Sequence, residues 1–65
     1  MPKYPDVTVK LTGEDGNAMN IMGKVAGAIR KAGASQADIA SFYEEAMSGD
    51  YDNVLQTAMR WVNVE

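Results

Sequence analysis

Val7-Thr8-Val9-Lys10-Leu11 near one end of the chain and Trp61-Val62-Asn63-Val64-Glu65 at the other decide the fold. Both alternate apolar and polar side chains and are rich in β-branched residues, the period-two pattern of a half-buried strand. Val7, Val9 and Leu11 in the first, and Val62 and Val64 in the second, are expected to face the core. Residues 1–6 carry Pro2 and Pro5 and read as an extended tail. Two strands at opposite ends of a chain can pair with each other or with another molecule. The pattern leaves a parallel and an antiparallel pair equally open. Such a ribbon is weak alone, holds when helices cover one face, and leaves two outer edges that invite pairing between chains.

Between the two strands the apolar period changes to that of a helix. Ile21, Met22, Val25, Ile29 and Ala32 share one stripe, which predicts a helix over residues 18–32 stopped by Gly33. Ser35 opens a second helix, with Asp38 three residues on in place of the Glu or Gln of a capping box. Its stripe is Ile39, Phe42, Tyr43, Ala46 and Met47, and Gly49 is its expected stop. Asp50 or Asp52 caps a third helix whose stripe is Tyr51, Val54, Leu55, Ala58 and Met59. The expected fold class is α+β: a small, mainly helical β-α-α-α-β domain, residues 1–65, with three short helices packed on a two-stranded terminal ribbon.

Size and composition bear on how such a domain is held together. A 65-residue chain buries only about 60% of its unfolded surface and is marginal as a monomer. Domains of this size lean on disulfides, a metal, unusually good packing or a partner chain. The chain has no Cys and no His, which removes disulfides and nearly all ligands for a structural zinc. Packing and homo-oligomerisation remain. Six basic residues against nine acidic ones, net charge -3, speak against nucleic acid as a partner. No run of 18 apolar residues offers a membrane span, and the first residues lack the apolar core of a signal peptide. A cytoplasmic setting is expected.

Two local features stand out. Gly23 and Gly27 lie four residues apart inside the first helix, where each costs about 1 kcal/mol relative to alanine. On a wheel of 100° per residue they fall opposite the apolar stripe, beside Met19, Asn20 and Arg30 and flanked by Lys24 and Lys31. They bare the backbone on the side turned away from the core. Either another subunit or a flat ligand comes close there, or the second and third helices wrap round and use the gap. Asn20 would offer hydrogen bonds and Arg30 a charge for phosphate or carboxylate. The second feature is Gly13-Glu14-Asp15-Gly16-Asn17, just before a helix start, where exposed amides attract anions. It lacks the Gly-Lys-Ser/Thr ending of a P-loop, and a turn with Asp15 or Asn17 as cap explains it as well. Glu14, Asp15 and Asn17, like Asp50, Asp52 and Asn53, are hard oxygen ligands without EF-hand spacing, and no metal is expected at either place.

Without His and Cys the commonest general base and the best side-chain nucleophile are missing. Ser35 reads as a cap and Ser41 as an exposed helix position. Neither an enzyme nor a cofactor is expected. The candidate ligand-binding residues are Asn17, Asn20, Gly23, Lys24, Gly27 and Arg30.

The stretches Asp15-Gly16-Asn17-Ala18 through Ala32-Gly33 and Ser48-Gly49-Asp50-Tyr51-Asp52 through Met59-Arg60-Trp61-Val62 resemble a family of short uncharacterised proteins from phages, prophages and bacterial mobile elements. The resemblance covers nearly the whole chain. It implies a setting, an accessory gene of a mobile element, and no set activity. Some small phage proteins block a host enzyme, and others are symmetric oligomers that trap nucleotide signals of host immunity. By that analogy the expected function is a homo-oligomeric protein sequestering a small anionic, nucleotide-like ligand. The alternative is an interaction module that inhibits a host or phage protein through an acidic helical face made by Asp38, Glu44 and Glu45, with Asp50 and Asp52 following.

Overall fold

The computed structural model describes residues 2–11 and 17–65. The elements follow in the expected order: β1 (Tyr4–Val9), α1 (Ala18–Lys31), α2 (Gln36–Ala46), α3 (Tyr51–Trp61) and β2 (Val62–Val64). β1 and β2 pair in parallel, a pairing that needs a long crossover, and the three helices supply it. Among the described residues no helix is long and apolar enough to cross a membrane.

β1 begins earlier than its alternation does. Tyr4, Pro5 and Asp6 belong to the strand and not to a tail. Tyr4 lies opposite Val62 while Thr8 lies opposite Asn63, so Pro5, Asp6 and Val7 bulge out of the ladder. Pro5 has no N–H to give a ladder and is tolerated in a strand at such a bulge. The Asn63 side-chain amide donates to the Pro5 carbonyl, satisfying an acceptor the ladder leaves behind. The pair is closed at its ends by Lys3 N–H to Arg60 C=O (2.9 Å), Leu11 N–H to Glu65 C=O (2.8 Å) and Glu65 N–H to Val9 C=O (3.0 Å).

All five elements feed one core. Val9 and Val62 come from the ribbon, Ile21, Met22, Val25, Ala26 and Ile29 from α1, Ile39, Phe42 and Ala46 from α2, and Val54, Ala58 and Trp61 from α3. Trp61 ends α3, where its alternation with Val62 had placed it in the strand. It is 3% exposed and meets Phe42 edge-on at 5.7 Å. Tyr4 stacks on it at 6.1 Å, and the Lys3 ammonium lies 4.4 Å from its ring centroid. Val7 and Leu11 pack on the core half-buried. Val64 does not point inward: it is 37% exposed, and Val62 is the residue of β2 that the core covers.

Three apolar residues of the expected stripes, Met47, Tyr51 and Met59, are exposed instead, as is Ala32 just past α1. On α3 the buried line is Val54, Thr57, Ala58 and Trp61, the i, i+3, i+4, i+7 set of a helix face. Thr57, fully buried, takes the place that Tyr51 and Met59 were expected to share. Its hydroxyl accepts from Arg60 at 3.1 Å, which removes the penalty of burying it.

The helix ends explain the spacing. Asn17 caps α1, its side-chain Oδ1 accepting from Met19 N–H and Asn20 N–H. Gly33, at φ +100°, makes the left-handed turn that ends it. Ser35 Oγ accepts from Asp38 N–H at 3.1 Å, but the box is not closed, since the Asp38 carboxylate accepts the Tyr4 hydroxyl at 2.5 Å. Asp50 caps α3 through Asn53 N–H at 3.1 Å. Gly49 does not stop α2 by a left-handed turn, because Gly33 alone has positive φ among the described glycines. Asn53 does that work from the next helix: its amide donates to the carbonyls of Glu45 (2.9 Å) and Ala46 (3.2 Å). A Cβ on residue 49 would lie 2.9 Å from Asn53 Cβ, so Gly49 is what lets that amide in. Asn53→Ala is expected to cost about 1–2 kcal/mol by uncovering those carbonyls. Urea unfolding measures this, and a loss below the scatter of surface substitutions would show that the α2 end is satisfied otherwise.

Candidate functional site on the first helix

The buried stripe of α1, Ile21, Met22, Val25, Ala26 and Ile29, turns the opposite side outward. Nothing lies within 4 Å of a Cβ built on Gly23 or on Gly27. The second and third helices therefore do not use the gap. Together the two glycines cost about 2 kcal/mol of helix stability, and no contact among the described residues of this chain requires them.

Of the six expected ligand residues, two have internal roles. Asn17 is the cap of α1. The Lys24 ammonium donates to the Lys10 carbonyl at 2.7 Å and ties α1 to the end of β1. Asn20, Gly23, Gly27 and Arg30 remain on one exposed strip, with Lys31 beside them. Arg30 follows Asn20 by ten residues, about 15 Å along a helix axis at 1.5 Å per residue. The six do not converge on a pocket. They form a flat strip, and a small ligand, which is normally enclosed on several sides, would need a second wall from another molecule. The expected loop glycines and acids, Gly13, Glu14, Asp15 and Gly16, lie outside the described residues.

The charges on this helix are all of one sign. α1 contains Lys24, Arg30 and Lys31 and no acid. Two of these lie in its last turn, where the helix dipole favours positive charge by about 0.3–1 kcal/mol each. The dipole accounts for cations at that end. It does not account for glycines.

α2 is the counterpart, with Asp38, Glu44 and Glu45 and no base. Two of its acids are engaged: Asp38 by Tyr4, and Glu45 by Arg60 Nε at 2.8 Å and the Trp61 indole N–H at 3.3 Å. The hydrogen bond from Arg60 holds the Glu45 carboxyl below its ordinary value, against partial burial and with help from Trp61. Glu44 is exposed. Ser41, Glu44, Glu45 and Ser48 line a shallow, open depression of about 310 Å³. The expected acidic face is thus narrower than its composition, since Asp50 is spent as a cap. Sequence reasoning missed the depression, although a helix without a single base was a signal for it. Among the described residues no group of three or more carboxylates is placed to hold a metal ion.

Comparison with known protein families, with characterised proteins and with solved structures returned no match.

Two expectations follow from this geometry. Gly23→Ala and Gly27→Ala should each raise the stability of the isolated chain by up to about 1 kcal/mol, since the added methyl meets open space. Denaturant midpoints at low protein concentration measure the gain, and a loss would mean that the face is already covered. The second concerns Glu45, whose folded pKa is depressed from 4.5. Its contribution is complete above that value and disappears as pH falls through the depressed one. The stability gap between the wild type and Glu45→Gln should therefore be present at neutral pH and close in strong acid, and a gap independent of pH would sink the assignment.

Proposed function

We propose that this chain is a non-catalytic binding protein that works as a homo-oligomer, with the outward face of α1 as its working surface. A small anionic, nucleotide-like ligand is held where that face meets a second subunit. The observation that carries the reading is the open space over Gly23 and Gly27 on an exposed helix face without an acid. A domain this small has only a few kcal/mol of stability, and two interior glycines take a sizeable share of it. Covering the bared backbone with a neighbour recovers what the glycines cost. Asn20 adds donors and an acceptor to that surface, and Arg30 adds a charge for phosphate or carboxylate. A role in sequestering such a ligand as a host signal is proposed by analogy with small phage proteins alone.

A second reading, docking on a host or phage protein through an acidic face, is favoured by the Glu44 depression. A pull-down that returns no stoichiometric partner counts against it.

Native mass spectrometry reports subunit number and retained small molecules in one spectrum. Thermal scans with cyclic nucleotides and ADP-ribose derivatives complete the test. Ligand at 100 times its Kd adds about 2.7 kcal/mol, a shift of several degrees in a domain of this size. A strictly monomeric protein that no such compound stabilises ends the proposal.

A further inference from the structure

We infer that copies of this chain join through α1 of one and α2 of the next, with Arg30 and Lys31 of the first set against Glu44 and the serines of the depression on the second. The inference rests on the homo-oligomeric part of the reading above and not on the ligand.

Charge is sorted by helix. α1 has bases and no acid, and α2 has acids and no base. Within the chain most of the other charges on these helices are already committed: Lys24 to the Lys10 carbonyl, Asp38 to Tyr4, Glu45 to Arg60. Arg30 and Lys31 on one side and Glu44 on the other make no hydrogen bond or ion pair with any described residue. Each face carries what the other lacks.

The shapes agree with the charges. The α1 strip is open over Gly23 and Gly27. The exposed residues of α2 are Gln36, Ala37, Ala40, Ser41 and Glu44, continued past its end by Met47 and Ser48, with Glu44 as the one fully exposed charge and alanines and a serine beside it. Neither face holds a partner helix away, and interaxial distances of 8–10 Å are ordinary when contact residues are this small. Ser48 Oγ donates to the Glu45 carbonyl and accepts the Asn53 side-chain amide at 3.4 Å, which leaves one lone pair to accept from a guanidinium.

Complementarity also favours the unlike pairing over the like-with-like arrangements. α1 on α1 leaves Arg30 and Lys31 of both copies without an acid from either helix, and α2 on α2 leaves Glu44 of both copies without a base. Like charges across an interface suppress a contact, and opposite ones select it. Contact between two different faces is heterologous, so each added copy presents a fresh face, and the assembly closes into a ring or extends. In this joint Arg30 faces Glu44 of the next copy, a role that takes the place of its charge for a ligand anion in the reading above.

Sedimentation velocity at low and at high salt tests the joint. The wild type should be oligomeric at low salt and smaller at high salt, since exposed ion pairs are screened. Arg30→Glu and Glu44→Arg should each weaken self-association by about tenfold or more. Mixing the two variants, or combining both changes in one chain, should restore it. Circular dichroism shows that each variant is folded. A monomeric wild type at low salt overturns both the joint and the homo-oligomeric reading. An oligomer of wild-type size in both single variants overturns the joint alone. Single variants that dissociate but are not rescued by mixing or combination also overturn it.

Discussion

Trp61 stands where α3 turns into β2, and its indole joins the layers of the fold. Phe42 of α2 meets it edge-on, Tyr4 of β1 stacks on it, Lys3 covers its face, and its N–H donates to Glu45. Val62, the next residue, is fully buried and starts the second strand. A chain with no disulfide has to hold its two ends together by packing, and Trp61 is where that packing concentrates. An indole is suited to the place because it buries a large apolar surface while giving its one donor a partner. The parallel pair depends on it, since β2 is three residues long and would not hold β1 by its ladder alone.

The same economy explains which side chains are spent on the fold and which are left over. Asn17, Ser35 and Asp50 are consumed as caps. Asn53 closes the end of a helix to which it does not belong. Asp38 and Glu45, which composition alone would assign to an acidic surface, instead pin Tyr4 and Arg60. On these two helices what remains outward is an acid-free strip on α1 and a base-free strip on α2. Each has small residues among its exposed positions, Gly23 and Gly27 on α1 and Ala37, Ala40 and Ser41 on α2, and the domain that carries them is too small to be comfortable alone. At Gly23 and Gly27 the residues that would best serve an isolated helix are the ones that would cover the bared backbone, which is the stability the proposed binding surface would forgo.

The sequence by itself determined the order of the elements, their number and most of their boundaries, because helix and strand periods, caps and Gly33 are local signals read within a few residues. It also determined which side of α1 is bare, since helical spacing alone sets Gly23 and Gly27 opposite Val25. Tertiary structure decided what local pattern does not encode. That β1 and β2 run parallel depends on the path of three helices. That Pro5 belongs to a strand depends on an amide from Asn63, fifty-eight residues away. That Thr57 is core while Tyr51 and Met59 are surface depends on where α2 lies against α3, with Arg60 there to satisfy the hydroxyl. That Lys24 and Asp38 are committed, while Arg30 and Glu44 have no hydrogen bond or ion pair among the described residues, depends on which long side chains find a partner after the chain has folded. Period and composition assign a residue to a face, and only the neighbours that folding brings to that face decide whether its charge is spent.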